Sequence, residues 1–354
     1  MGNAMTLASL NAPNNAPHAA LARAEKVGVL LANLGTPSGT DYWSMRRYLS
    51  EFLSDQRVVD MPRWKWQPIL QMIILTIRPS RSGAAYAEIW NKERDESPLL
   101  TITRDQTTAI AAQLTARYGD QVMVDFCMRY GAPSTRSKLR AMINAGCTRI
   151  LFFPLYPHYA GATTASANDQ VFRVLMQEKH QPALRTVPAY YGNPAYISAL
   201  ANSVTEGYAK LATKPDHLVC SYHGLPQRYV DEGDPYYDQC VDTTKLLQQE
   251  LGWDEGKAIT AFQSRFGREE WLKPYAVVEV ARLAAMGKKN IAVIAPAFSA
   301  DCIETLEEIS GEIREAFIAA GGETFTYIPC LNDQAAHISA LTGLIQDNLK
   351  GWLD

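Results

Sequence analysis

The chain has 354 residues, 47% of them hydrophobic and 20% charged, which suits a globular protein of two domains with sizeable cores. A formal net charge of -3 leaves no basic excess and argues against nucleic acid as the main partner. The six cysteines (Cys127, Cys147, Cys220, Cys240, Cys302 and Cys330) form no C-x-x-C pair. They read as buried thiols of a reducing compartment, not as a disulfide framework or a zinc knuckle.

Residues 1–23 are rich in Ala, Asn and Pro and lack a basic segment followed by an apolar one, so they read as a disordered leader rather than a signal peptide. No apolar run reaches the roughly 18 residues that would cross a bilayer, and the expected location is cytoplasmic. Beyond the leader, short apolar runs alternate with helix-like stretches. The runs are Val27–Asn33, Val122–Met128, Arg149–Tyr156, Leu184–Ala189, His217–Ser221, Ile259–Gln263, Asn290–Ala295 and Thr324–Pro329. Most are apolar on both faces, the pattern of strands inside a parallel sheet, and the intervening helices imply right-handed βαβ units. Asn193 and the helical Ala195–Leu200 (AYISAL) follow the fourth run; Asn332 and Ala336–Leu341 (AHISAL) follow the eighth. The match, with four runs on each side, indicates duplication. The expected fold is α/β, with two similar Rossmann-like domains at 24–192 and 193–332 and a C-terminal helix in 333–354 packing back on the first. Such sheets bind ligands in the crevice beyond the carboxyl ends of their strands.

The first run ends in Asn33-Leu34-Gly35-Thr36-Pro37, where the glycine permits close backbone approach to a ligand. The third ends in Tyr156-Pro157-His158-Tyr159, which fits aromatic packing between domains as well as ligand contact. The fifth leads into Ser221-Tyr222-His223-Gly224-Leu225-Pro226, and its Gly and Pro force a turn that leaves His223 at the crevice mouth. The sixth leads into Gln263-Ser264-Arg265-Phe266-Gly267, with Trp271 beyond. The seventh leads into Phe298 and then Asp301, Glu304 and Glu308, spaced i, i+3, i+7, so a helix stacks the carboxylates on one stripe. A first turn that complements the helix dipole accounts for Asp301 but not for Glu308, so the stripe reads as a path for protons or cations. No G-x-G-x-x-G follows the first strand, and no Walker, H-E-x-x-H or G-x-S-x-G motif is present. Nucleotide binding and nucleophile-elbow hydrolysis therefore lose support.

The segments Leu30–Pro37 (LLANLGTP), Leu155–Thr164 (LYPHYAGATT), Ser221–Tyr236 (SYHGLPQRYVDEGDPY), FQSRFG with Trp271, and Ala295–Ile309 (APAFSADCIETLEEI) carry a resemblance to the ferrochelatases. It covers nearly everything from Val27 onward. The resemblance implies two Rossmann-like halves around a porphyrin cleft, with protoporphyrin IX and ferrous iron as substrates and haem and two protons as products. It implies His223 as the active-site histidine and Glu304 as its carboxylate partner, both meeting the metal, with Asp301 and Glu308 in an acidic relay along a helix that carries a π-type turn. Leu34, Trp271 and Phe298 are implied as walls, Arg129 and Tyr130 as the pair on the opposite side, and Arg78, Arg81, Tyr86 and Ser97 as contacts for the porphyrin propionates. Two features depart from the family. Some members hold a [2Fe-2S] cluster through a C-terminal cysteine group and one internal cysteine; here that group is missing and Gly161 stands at the internal position, so no cluster and no permanently bound cofactor is expected. Before Ser97, Lys92-Glu93-Arg94-Asp95-Glu96 replaces the usual glycine-rich run.

The stretch Pro68–Pro79 (PILQMIILTIRP) is apolar and bracketed by Arg63, Trp64, Lys65, Trp66 and Arg81. Too short to span, it suits a segment resting at headgroup level, so peripheral contact of 63–81 with the inner membrane face is expected; the plainer reading is a buried helix. The chain is expected to be a monomer or weak dimer. Three other readings stand beside iron insertion into protoporphyrin: coproporphyrin III as substrate, cobalt or nickel chelation, and a tetrapyrrole carrier needing neither His223 nor the acids.

Overall fold

The computed structural model describes residues 26–353, and the expected leader at 1–23 lies outside the described residues. The first half comprises β1 (Lys26–Thr36), α1 (Tyr42–Leu53), α2 (Arg63–Ile69), a π-helical turn (Leu70–Ile74), α3 (Leu75–Ile89), α4 (Pro98–Tyr118), β2 (Val122–Gly131), α5 (Thr135–Asn144), β3 (Cys147–Pro154), α6 (Ser166–Leu175) and β4 (Ala183–Thr186). The second comprises α7 (Pro194–Ala209), β5 (His217–His223), α8 (Gln227–Asp231), α9 (Tyr236–Glu250), β6 (Ala258–Gln263), α10 (Ala276–Ala285), β7 (Asn290–Ile294), a π helix (Glu304–Ile313), α11 (Arg314–Ala319), β8 (Thr324–Tyr327) and α12 (Ala335–Leu349).

The strands form two parallel four-stranded sheets with the same order, β2-β1-β3-β4 and β6-β5-β7-β8. This is the doubled Rossmann-like α/β arrangement expected of the sequence, with some strand ends moved. β1 continues past Asn33 to Thr36 beside β2 because Gly35, at φ +123°, brings its backbone against Tyr130; a Cβ there would lie 2.0 Å from the Tyr130 carbonyl oxygen. β4 and β8 pair on one side only and stop at Thr186 and Tyr327, short of Ala189 and Pro329. β3 stops at Pro154, before Tyr156.

Alternation along the strands sorts the core into layers. Val27, Val29 and Leu31 of β1 and Leu218, Cys220 and Tyr222 of β5 belong to one continuous core that α4, α7, α9 and α12 help to fill. Leu30 and Ala32 face the other way, against α5 and α6, while Val219 and Ala261 are covered by α10 and α11. The helix closing each sheet crosses over: α7 follows β4 but packs on α9, and α12 follows β8 but packs on α4 and β3. Leu341, Ile345 and Leu349 of α12 are fully buried there, roughly 1.5–3 kcal/mol each by area removed from water. All six cysteines are buried and unpaired.

The repeated asparagines have diverged. Asn193 caps α7 by accepting from the backbone of Ala195 and Tyr196. Its counterpart Asn332, at φ 47°, caps nothing and instead grips Asp301. Among the described residues no helix is long and apolar enough to cross a membrane.

Candidate active site

His223 is the last residue of β5 and pairs with Gln263, the last of β6. The next amide, of Gly224, donates to the Gln263 carbonyl at 2.8 Å. A Cβ at Gly224 would lie 2.8 Å from that same oxygen and 3.0 Å from the Trp271 ring, so the turn requires glycine. Two further backbone bonds, Gln227 to Glu270 and Leu272 to Leu225, both at 2.9 Å, zip this turn to the segment carrying Trp271. Trp271 thus stands beside His223, ring centroids 6.4 Å apart. The His223 Nδ1 lies 2.7 Å from the Gly224 carbonyl oxygen, which only accepts, so Nδ1 is the donor there and Nε2 is the nitrogen left for other chemistry.

Facing it are the acids of the π helix, where Glu304 and Glu308, four residues apart, share a face. Glu308 accepts from the Ser264 amide at 2.6 Å, the Ser264 hydroxyl at 2.5 Å and the Gln263 side-chain amide at 3.1 Å. Gln263 also donates to the Glu304 backbone carbonyl at 2.7 Å and accepts from the Ser221 hydroxyl at 2.6 Å, tying β5, β6 and the π helix together. Burial raises the Glu308 carboxyl above the usual range; bonds from Ser264 and Gln263 and the charge of His223 oppose this, and Glu304 adds to it. The Glu304 charge also acts on Arg78, Tyr48 and Tyr86 of the first half. Glu304 therefore lies close enough to the first half for its charge to be felt there.

Asp301 does not join this row. The expected i, i+3, i+7 stripe presumes a helix already formed at Asp301, whereas the helical turns begin after it. Its carboxylate is 5% exposed and occupied by the Tyr327 hydroxyl at 2.6 Å, the Asn332 amide at 2.7 Å and the Thr305 hydroxyl at 2.9 Å. Four residues beyond Glu308 stands the exposed Glu312, whose charge acts on Glu307; the repeated four-residue spacing from Glu304 was its signal in the sequence.

The first half supplies Leu34, which packs with Leu99, Ala300, Cys302 and Phe298 on one side and with Tyr48, Tyr86 and Tyr130 on another. Arg78 is half-buried with its guanidinium 5.5 Å from the Phe266 ring centroid, and burial pulls its pKa below the ordinary arginine value. Arg81 is exposed. Four other implied contacts are buried against protein partners. Tyr86 is buried in a cluster with Met45 and Tyr48. Ser97 is 1% exposed and its oxygen caps α4, accepting from the Leu100 amide at 3.2 Å. Arg129 and Tyr130 are buried and turned to Asp55: the Arg129 guanidinium pairs with that carboxylate, and the Tyr130 hydroxyl donates to it at 2.8 Å. A buried cation needs such a partner, and Asp55, just past α1, provides it. Arg129 also borders a cavity of about 1520 Å³, lined by Arg46, Arg57, Asp55, Asp60 and Tyr229 among others, whose walls do not include His223 or Glu304. His158 packs between the halves against Tyr222 and Tyr236, and burial lowers its pKa to about 3.

With this geometry in view, the comparisons converge. The Ferrochelatase family model matches residues 26–349. A ferrochelatase of Rhodobacter capsulatus is 66% identical over 330 residues, covering 93% of this chain and 94% of that protein. A ferrochelatase of Chelativorans sp. (strain BNC1) is 54% identical over 330 residues, with 93% of each chain covered. Among solved structures, SirB from Bacillus subtilis with Fe3+ superposes with a TM-score of 0.52 at 12% identity, covering 93% of this chain and 99% of the other. A sirohydrochlorin chelatase SirB from Bacillus subtilis subspecies spizizenii, in complex with cobalt, gives 0.51 at 10% identity, covering 93% and 99%. At such identities these two structures speak to the fold alone.

Proposed function

The chain belongs to the ferrochelatase family, enzymes that insert iron into porphyrin, and from that premise we propose protoporphyrin IX and Fe2+ as its substrates, with haem and two protons as products. The observation that carries the residue assignment is the charge of His223 acting on Glu308, which shares the π helix with Glu304.

A free-base porphyrin must lose two pyrrole protons to gain one dication. Nε2 of His223 takes a proton, the general-base role that imidazole most often fills. The charges of Glu304 and Glu308 offset the imidazolium so formed. One ring cannot retain both protons, so they pass to the carboxylates and along the row to exposed Glu312 and solvent. Imidazole and carboxylate are also suitable Fe2+ ligands, and His223 and Glu304 serve the metal and the protons in succession. Trp271, Phe298 and Leu34 form the walls against the macrocycle. Arg78 and Arg81 receive the propionates, for which the planar guanidinium is well shaped. Asp301 acts from behind by fixing the start of the π helix.

Peripheral membrane contact belongs to the same reading, with the enzyme on the cytoplasmic side. Trp64, Met72 and Ile77 of the 63–81 segment are 74%, 69% and 70% exposed, so this face is not an ordinary buried helix. We also keep the domain division at 24–192 and 193–332, with α12 returning to the first domain.

The test is anaerobic Fe2+ insertion followed optically with protoporphyrin IX and coproporphyrin III side by side. Faster turnover of protoporphyrin is expected. A preference for coproporphyrin would replace the substrate, and tight binding without turnover would make the chain a carrier.

A further inference from the structure

Arg228 lies five residues beyond His223, on the short helix α8, outside the machinery described above. Its guanidinium holds two carboxylates at once: Nη1 donates to Asp60 at 2.7 Å and Nε to Glu269 at 2.7 Å. Glu232, one turn along α8, stands 3.6 Å away. The two main partners come from different rims. Glu269 precedes Trp271 in the segment already zipped to the His223 turn by the Gln227–Glu270 and Leu272–Leu225 bonds. Asp60 belongs to the first half, just before the apolar α2 segment. Arg228 thus links the turn that carries His223 to the first half, beside the cavity that Asp60 and Glu232 line. The second contact between these rims, Arg78 over Phe266, involves the same 264–270 loop.

We infer that Arg228 is a positioning residue for the reaction, an ionic tie to Asp60 that sets how far the porphyrin cleft gapes. A single exposed ion pair contributes little, but one guanidinium shared between carboxylates of two segments fixes their relative geometry, and its bidentate character is beyond lysine. Both ends are exposed enough for salt to screen them. The tie therefore acts on capture and release of the flat substrate, not on proton transfer at His223.

The experiment measures Fe2+ insertion into protoporphyrin IX by the full chain at about 0.05 M and about 0.5 M salt, for wild type, Arg228→Ala, Arg228→Lys, Asp60→Asn and Glu269→Gln. Arg228→Ala and Asp60→Asn are expected to raise KM for porphyrin about threefold to tenfold at low salt, with kcat kept or raised and with little further response to salt. Wild type should drift towards the same KM as salt rises. Arg228→Lys should fall between. Glu269→Gln, whose partner is on its own side of the cleft, should change KM least. Urea unfolding of each variant confirms that folding is intact. The inference is overturned if Arg228→Ala and Asp60→Asn keep the wild-type KM and its salt response, or if Arg228→Ala acts while Asp60→Asn does not. Wild-type turnover serves as the control on the activity itself.

Discussion

Glu308 holds Ser264 at two points, through its amide at 2.6 Å and its hydroxyl at 2.5 Å, and so fixes a non-glycine residue at φ +63°. The left-handed backbone costs on the order of 1 kcal/mol or more, and the carboxylate offsets it. Because the 264–270 loop starts from this residue, the position of Phe266 and the state of the acid row are mechanically joined.

Ser264→Ala should therefore lower stability by about 1.5–3 kcal/mol, the range for a hydrogen bond to a charged group. Activity should fall about tenfold as the loop loosens. Urea denaturation and steady-state assays of the same sample check both.

His223→Ala should reduce iron insertion by at least the roughly 10²–10⁴-fold typical of a lost general base, while porphyrin binding, followed by fluorescence quenching, stays nearly intact. Glu304→Gln should fail likewise. Normal turnover in either variant removes the proposed mechanism.

Two buried histidines set an acid limit on the fold. Burial lowers His158 to about 3 and His337 to about 4 from an ordinary 6.5; in His337 a bond to the Asn332 carbonyl partly opposes the shift. Between the folded and unfolded values the unfolded chain binds more protons, so stability is full above about pH 6.5 and lost as pH falls through about 4 and 3. At about 1.4 kcal/mol per unit, His337 alone accounts for about 3 kcal/mol. His337→Gln should flatten this acid limb in urea titrations from pH 7 to pH 4.

Gly224→Ala should disturb the site more than the fold. The added Cβ meets the Gln263 carbonyl at 2.8 Å and the Trp271 ring at 3.0 Å, displacing the turn that carries His223. A stability loss of about 1–3 kcal/mol is expected with a larger fall in kcat/KM than in thermal midpoint. Tryptophan fluorescence should report the moved ring.

Met72→Glu together with Ile77→Glu should abolish sedimentation with anionic vesicles, because two charges then stand on the exposed apolar face. Turnover of detergent-dispersed porphyrin should change little.

The strands were legible because buried parallel strands are apolar on both faces, and the AYISAL and AHISAL pair betrayed the repeated topology. His223 was legible because Gly224 and Pro226 mark a sharp strand-end turn. The acid row was only half legible: spacing of three and four residues says nothing about where a helix begins, and Asp301 fell outside it. Residue type could not reveal the fixed partners of Arg129, Tyr130 and Ser97, which are Asp55 for the first two and the capping of α4 for the third. Gln263 was given no role of its own, since its value lies in joining Ser221 to Glu304 and Glu308, residues far apart in the chain.

The return of α12 to the first sheet has a consequence for how the polypeptide is made. During translation the face of β3 and α4 that this helix covers stays bare until α12 itself leaves the ribosome. The amino-terminal half thus waits, with that surface of β3 and α4 uncovered, for a piece some 150 residues downstream of its own last strand. A premature stop that removes only the last helix should yield a sticky, chaperone-dependent product instead of a slightly shortened enzyme.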